Sequence, residues 1–74
     1  MATIHVMPHI DGEKLRDLRE ERFLSHRELA NLAGVSPQTV LNLEHGKGEA
    51  QRRTVRKLAA ALGVDPHELI KARE

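Results

Sequence analysis

A cluster of basic residues in the second half of the chain could bind phosphate groups. The chain has 74 residues and a formal net charge of only +1, but its charges are unevenly distributed. Residues 36–57 carry five lysines and arginines against two glutamates, whereas residues 1–35 and 58–74 each carry one negative charge in excess. A local positive excess is typical of a surface that faces phosphate. A solvated helix face would produce the same run of charges, so both interpretations stay open on this feature alone.

The five histidines form no pattern that indicates catalysis. They are scattered along the sequence, and only His5 and His9 have a spacing at which they could hold a metal ion together. No carboxylate or thiol motif supports such a site, and the absence of cysteine excludes disulfides and thiolate ligands. An enzyme needs a nucleophile, a base or a metal held in a pocket. We therefore predict a protein that is not an enzyme and uses no cofactor or metal.

The remaining composition excludes several other classes of protein. The chain contains one phenylalanine and no tyrosine or tryptophan, which argues against single-strand binding, because such proteins stack bases on aromatic rings. No apolar run is long enough to span a membrane. The first nine residues lack the apolar core of a signal peptide, so we expect a cytoplasmic protein.

The element that would present the basic region is a pair of short helices that meet at Gly34. Ser25 and Glu28 form a capping-box pattern, which predicts the start of the first helix. Glycine is typical of the left-handed residue that ends a helix. Ser36 followed by Pro37 predicts the start of the second helix, because it combines an N-cap hydroxyl with proline at the first position. A short helix, a tight turn and a second helix can place side chains in the major groove of DNA.

Three further helices are predicted around this pair. The first begins after Asp11 and ends near residues 22–23. Another spans about residues 52–62 and ends at Gly63, and a last short helix begins with the capping pattern of residues 65–68. Residues 1–9 are predicted to be an N-terminal arm with a possible short strand, and residues 10–74 the folded domain.

The caps, the turn glycine and the spacing of the apolar residues resemble those of the Cro/repressor-type helix-turn-helix family, also called the XRE family. The residues that carry the resemblance lie between about Ile10 and Ile70 and include Leu15-Arg16, Leu18-Arg19, Leu24-Ser25, Glu28-Leu29-Ala30, Ala33-Gly34-Val35-Ser36, Thr39-Val40, Leu43-Glu44, Gly46-Lys47, Thr54-Val55, Lys57-Leu58-Ala59 and Ala61-Leu62-Gly63-Val64. The resemblance implies an all-α, compact five-helix fold of the lambda-repressor-like type. It also implies a sequence-specific transcriptional regulator of double-stranded DNA, and in particular a repressor.

The resemblance assigns base reading to the first turns of the recognition helix, which spans about residues 37–45. The residues at those positions are Pro37, Gln38, Leu41 and Asn42. Gln38 and Asn42 are four residues apart and therefore share one helix face. Both amides suit adenine, because one amide donates to N7 and accepts from the N6 amino group. Leu41 could instead be a packing contact, and Pro37 could serve only to start the helix.

The resemblance further implies phosphate contacts near two helix starts and the loop after the recognition helix. The residues are Ser25, His26, Thr39, His45, Lys47, Arg52 and Arg53. Helix N-termini carry free N–H groups and partial positive charge, and arginine and lysine add counterion release.

A pair of charged residues and two departures from the family pattern bear on how the helices are held. Related domains pair an arginine of the first helix with a glutamate at the end of the recognition helix, which here are Arg19 and Glu44. Phe23 departs from the glycine usual after the first helix, so a left-handed conformation or a changed turn is expected, with the ring helping to fill the core. His26 departs from the usual glutamine.

One unit of this size inserts one helix and reads few bases, so we expect a homodimer on an inverted-repeat operator. The last helix and the arm are the expected interface. The alternative is an antitoxin-like or adaptor protein that uses the same fold to hold another protein, with contacts from Leu69, Ile70, Ile4 and Val6. Co-purification of a partner without duplex binding would favour that alternative.

Overall fold

The computed structural model describes residues 9–47 and 50–71, and these residues form four α-helices and one 3-10 helix. The elements in chain order are α1 (Gly12–Glu21), α2 (His26–Ala33), α3 (Pro37–Glu44), α4 (Arg52–Leu62) and the 3-10 helix (Pro66–Leu69). The predicted strand at Ile4 and Val6 lies outside the described residues. No helix within the described ranges is long and apolar enough to cross a membrane.

The capping signals of the helix-turn-helix pair are confirmed. The Ser25 hydroxyl accepts from the Glu28 N–H at 3.0 Å, and the Glu28 carboxylate accepts from the Ser25 N–H at 2.8 Å. Gly34 ends α2 at φ 75°, in the left-handed region where a side chain would be strained. Ser36 accepts from the Thr39 N–H at 3.1 Å and begins α3. Local capping therefore marks both ends of α2 and the start of α3.

The predicted fifth α-helix is wrong, because residues 66–69 form a single 3-10 turn. The Asp65 carbonyl accepts from the N–H of Glu68, three residues later, as a 3-10 helix requires. Ile70 then adopts an extended conformation and forms an antiparallel bridge with Ile10. The chain leaves the helical path here because residues 69–71 hydrogen-bond to residues 9–11: the Asp11 N–H donates to the Leu69 carbonyl at 2.8 Å, and the Lys71 N–H donates to the His9 carbonyl at 2.9 Å.

One hydrophobic core joins all of these elements. Its buried residues are Leu15, Leu18, Leu29, Ala30, Ala33, Val40, Leu43, Ala50, Val55, Leu58, Ala59, Leu62 and Leu69. The helix α2 packs against both α3 and α4, and α1 packs against α3. Leu69 is fully buried, so the expectation that it contacts a partner protein is wrong. Its side chain instead fills the core beneath the 3-10 helix.

Phe23 adopts the left-handed conformation expected where related domains carry glycine. Its φ is 56°, the one positive φ of a non-glycine residue among those described. The expectation that its ring fills the core is wrong, because Phe23 is 93% exposed. The left-handed turn directs the chain so that the Leu24 N–H donates to the Arg19 carbonyl at 3.1 Å. The side chain at the turn then points away from the core.

Candidate nucleic-acid interface

The N-terminal part of α3 presents an amide pair at the surface. Gln38 is exposed and Asn42 is half-buried. The Gln38 Nε2 amide donates to Asn42 Oδ1 at 2.9 Å, so the two side chains share one helix face as their spacing predicts. This bond leaves the Gln38 carbonyl as an acceptor and the Asn42 amide as a donor. The pair therefore offers one acceptor beside one donor, which is the combination that an adenine edge requires.

The other two residues assigned to base reading flank this pair. Pro37 is exposed and is the first residue of α3. A backbone N–H at this position would have no partner within the helix, so proline loses nothing by lacking one. Leu41 is half-buried, one residue before Asn42. Both positions are accessible from solvent on the α3 surface.

The C-terminal end of α3 is held by a buried cluster of charged residues. We call Arg19, His26 and Glu44 the Glu44 cluster. The Glu44 carboxylate is 3% exposed and accepts from Arg19 Nε at 2.6 Å and from Arg19 Nη2 at 3.2 Å. It also lies 3.0 Å from His26 Nε2. The predicted partners Arg19 and Glu44 thus meet in a bidentate pair that joins α1 to α3, and His26 adds α2.

The hydrogen bonds in the Glu44 cluster shift the pKa values of Arg19 and Glu44. Burial raises the pKa of Glu44. The hydrogen bonds from Arg19 and His26 together lower it by more, so the pKa of Glu44 lies below its ordinary value. The hydrogen bond to Glu44 raises the pKa of Arg19 above its ordinary value, against the opposing effect of burial. Both shifts favour the charged forms, as expected for a desolvated pair with its polar atoms satisfied.

Gly12 allows α1 to approach this end of α3. A Cβ atom at Gly12 would lie 2.6 Å from the carbonyl oxygens of both Leu43 and Glu44, which is closer than any side chain can sit. The N-terminus of α1 therefore meets the C-terminus of α3, and opposite ends of two helix dipoles come together. A glycine immediately after the helix cap Asp11 was the sequence signal that could have revealed this contact.

Three of the residues assigned to phosphate carry hydrogen-bonding groups that the fold already uses. The Ser25 oxygen accepts at the start of α2, which leaves its hydroxyl hydrogen available. The Thr39 and Ser36 hydroxyls lie 2.8 Å apart at the start of α3. The His26 Nε2 atom faces Glu44. The sequence pattern did not predict this last contact, because glutamine is usual there and no rule on spacing links residues 26 and 44.

The remaining four phosphate candidates are exposed at the end of α3 and the start of α4. His45 and Lys47 follow α3, and Arg52 and Arg53 are the first two residues of α4. None of these four side chains forms an ion pair within residues 9–47 and 50–71. The N-cap Gln51 makes no capping bond, and the first turn of α4 contains no acidic residue. Positive charge therefore adds to free N–H groups at this helix start, which favours an anion there.

A metal site would need three or more histidine, aspartate or glutamate side chains close together. No such group occurs within the described ranges. The proposed pairing partner His5 lies outside those ranges.

A family model described as a helix-turn-helix domain matches residues 12–70. The HTH-type transcriptional repressor RghR of Bacillus subtilis is 47% identical over 58 residues, an alignment that covers 77% of this chain and 42% of RghR. The chain spans less than two thirds of the length of the relatives it matches.

Solved structures share the fold. The restriction-modification controller protein C.AhdI from Aeromonas hydrophila is 37% identical with a TM-score of 0.77, and the match covers 80% of this chain and 89% of C.AhdI. The regulator of biofilm formation SinR, solved in complex with DNA, is 28% identical with a TM-score of 0.72, covering 76% of this chain and 90% of that one. HppE, solved with Fe(II) and substrate, is 34% identical with a TM-score of 0.72, covering 81% of this chain but only 35% of that one.

The family match covers most of the chain. RghR is a transcriptional repressor, C.AhdI a controller protein and SinR a regulator. The resemblance to the Cro/repressor-type family is thereby confirmed. This chain belongs to the helix-turn-helix domain family.

Proposed function

We propose that this protein is a sequence-specific transcriptional regulator that binds double-stranded DNA and acts as a repressor, not as an enzyme. The observation that carries the proposal is a solvent-accessible amide pair on α3 together with exposed cations after α3 and at the start of α4, which have no ion-pair partner within the described ranges. The matches to the repressor RghR and to SinR in complex with DNA support it. A cytoplasmic location is part of the same proposal.

In this proposal the two kinds of contact have separate tasks. The recognition helix α3 enters the major groove, where Gln38 and Asn42 meet base edges, with Pro37 and Leu41 beside them. The phosphate contacts come from Ser25, Thr39, His45, Lys47, Arg52 and Arg53. Phosphate contacts supply affinity without reading sequence, whereas base-edge contacts supply discrimination.

A binding experiment tests the proposal. Duplexes are selected from a random pool, and the affinity of a fluorescent selected duplex is measured at several salt concentrations beside a scrambled duplex of equal composition. We expect preferential binding of the selected duplex and a linear fall of log affinity with log salt concentration. Equal affinity for both duplexes, or an affinity independent of salt, would contradict the regulator.

The role of the α4 start is tested by Arg52→Ala. We expect weaker binding to every duplex and a salt slope that is smaller by about 1, because one phosphate contact is lost. Arg16→Ala is the matched control, since Arg16 is exposed on α1 outside the proposed interface. A loss for Arg52→Ala that depends on the duplex sequence would assign this residue to base reading instead.

We also propose that the protein binds an inverted-repeat operator as a homodimer. One copy of α3 has only eight residues, so two copies are needed to read a site of useful length. Sedimentation of the protein with and without the selected duplex tests this directly. A strictly monomeric protein in both conditions would remove the argument for an inverted repeat.

A further inference from the structure

His26 lies where its imidazole joins the first residue of α2 to the last residue of α3. Its Nε2 atom is 3.0 Å from Glu44 Oε1. An ionised carboxylate can only accept hydrogen bonds, so Nε2 must carry the hydrogen. In the neutral ring the other nitrogen, Nδ1, is then an acceptor. A neutral imidazole held in this way has no ring N–H left for a phosphate oxygen, which is also an acceptor.

The position of this bond matters for the geometry of the helix-turn-helix unit. The turn at residues 34–36 connects the C-terminus of α2 to the N-terminus of α3. At the opposite ends of the two helices, the His26–Glu44 bond is the side-chain hydrogen bond that joins α2 to α3 among the described residues. Apolar packing also holds α2 against α3, and this bond adds a polar contact at the end opposite the turn. Without it only apolar packing joins the two helices there, and such packing is not directional, so the angle of α3 to α2 can change.

Arg19 does not replace this connection. It holds Glu44 from α1, and its Nη1 donates to the Leu24 carbonyl at 2.7 Å, so it fixes α3 relative to α1 and the turn before α2. Glu20 is the other charged group near the cluster, 3.9 Å from Arg19 Nη2. The contact of α2 with this carboxylate comes from His26.

We infer that His26 is a positioning residue of the proposed DNA interface, which sets the orientation of α3 through Glu44 and does not contact phosphate. The inference rests on the proposed function, because duplex binding is its readout. It replaces the role that the family resemblance implies for the first residue of α2.

The central test compares His26→Ala with His26→Gln on the selected duplex. We expect His26→Ala to bind about three- to tenfold more weakly, which is the scale of the net contribution of one ordinary hydrogen bond. Glutamine has an Nε2 amide that can donate to Glu44, so His26→Gln should recover most of this loss. The salt slope of His26→Ala should equal that of the unsubstituted protein, because no phosphate contact is removed. Circular dichroism at the assay temperature establishes that each variant is folded.

Asn31→Ala is the matched control. Asn31 lies on the same helix as His26, but it is exposed and outside both the Glu44 cluster and the proposed DNA interface. We expect its removal to leave duplex affinity unchanged. An equal loss for Asn31→Ala and His26→Ala would overturn a specific role for His26.

A double-mutant cycle separates action through Glu44 from independent action. If His26 acts through Glu44, the losses of duplex affinity for His26→Ala and Glu44→Gln should not add in the double variant. Additive losses would overturn the inference. In parallel, ¹⁵N NMR of the His26 ring is recorded on the protein without DNA, at a pH where the ring is neutral. The hydrogen should lie on Nε2, and a hydrogen on Nδ1 would overturn the inference as well.

The failures of the two proposals are distinguishable. A salt slope reduced by about 1 in His26→Ala, or an unchanged affinity in the folded variant, overturns the role of His26 while the regulator stands. If the unsubstituted protein fails to prefer the selected duplex, the regulator and the role of His26 in it are both overturned.

Discussion

The two ends of α3 differ in what surrounds their polar side chains. Toward the N-terminal end, the exposed amide of Gln38 bonds to the half-buried amide of Asn42 one turn later. At the C-terminal end, the Glu44 carboxylate is almost completely buried and accepts from two other helices. One end of the helix can therefore exchange its hydrogen bonds for those of a ligand, whereas the other end cannot without leaving a buried charge unpaired.

This difference explains how eight residues can form a stable reading element. An isolated helix of this length is not stable in water, so its orientation must come from tertiary contacts. The Glu44 cluster and the close approach of Gly12 supply those contacts at one end. The other end is then free to carry side chains that are chosen for binding.

The largest effect is expected when the buried pair is broken. Arg19→Ala leaves the Glu44 carboxylate buried with only His26 as a donor, so the free energy of unfolding should fall by about 3–5 kcal/mol. Urea denaturation measures this loss. Arg16→Ala, an exposed arginine on the same helix, should change stability by no more than about 0.5 kcal/mol. If both variants lose equally little, the C-terminal end of α3 is not held by charge.

The next effect concerns the approach of α1 to α3. Gly12→Ala places a Cβ atom 2.6 Å from two backbone carbonyl oxygens, so one of the helices must move. We expect a loss of about 1–3 kcal/mol in the free energy of unfolding, typical of overpacking. The control is Glu13→Ala, at an exposed position in the same turn. A neutral result for Gly12→Ala would show that this contact yields easily.

Removal of an amide at the open end should affect binding and not stability. Gln38→Ala is expected to cost about 1–3 kcal/mol of discrimination at one base pair, with an unchanged free energy of unfolding. Anisotropy titrations against duplexes with single base-pair changes measure it. Asn31→Ala removes an exposed amide from α2 and should alter neither quantity. A uniform loss on every duplex would mean that Gln38 does not read bases.

The smallest effect is expected in the pH dependence of stability. The pKa of Glu44 is lowered in the folded protein, so its contribution is fully present above the ordinary glutamate value of about 4.3. The contribution is lost as the pH falls through the lowered native value. Glu44→Gln should therefore show a flatter loss of stability in acid than the unsubstituted protein. Parallel acid profiles for the two proteins would contradict the shift.

The sequence predicted the parts of the fold that local chemistry controls. Ser25 and Gly34 fixed the two ends of α2 and Ser36 fixed the start of α3, because capping bonds join residues that are close in the sequence. The prediction of a fifth α-helix was wrong because residues 69–71 pair with residues 9–11, and this pairing ends the 3-10 helix. No local sequence pattern contains that pairing. The prediction that the Phe23 ring lies in the core was also wrong, because the left-handed turn at this residue directs its side chain away from the core.

By itself, the sequence determined where the α-helices begin and end, which residues are apolar enough for the core and where positive charge collects. Each of these depends on one residue type or on neighbours within a few positions. Only the tertiary structure decided that His26 faces Glu44 and that Gly12 lies against the end of α3. These contacts join residues 18 to 32 positions apart, and they exist because packing of the core brings three helix ends together at one buried carboxylate.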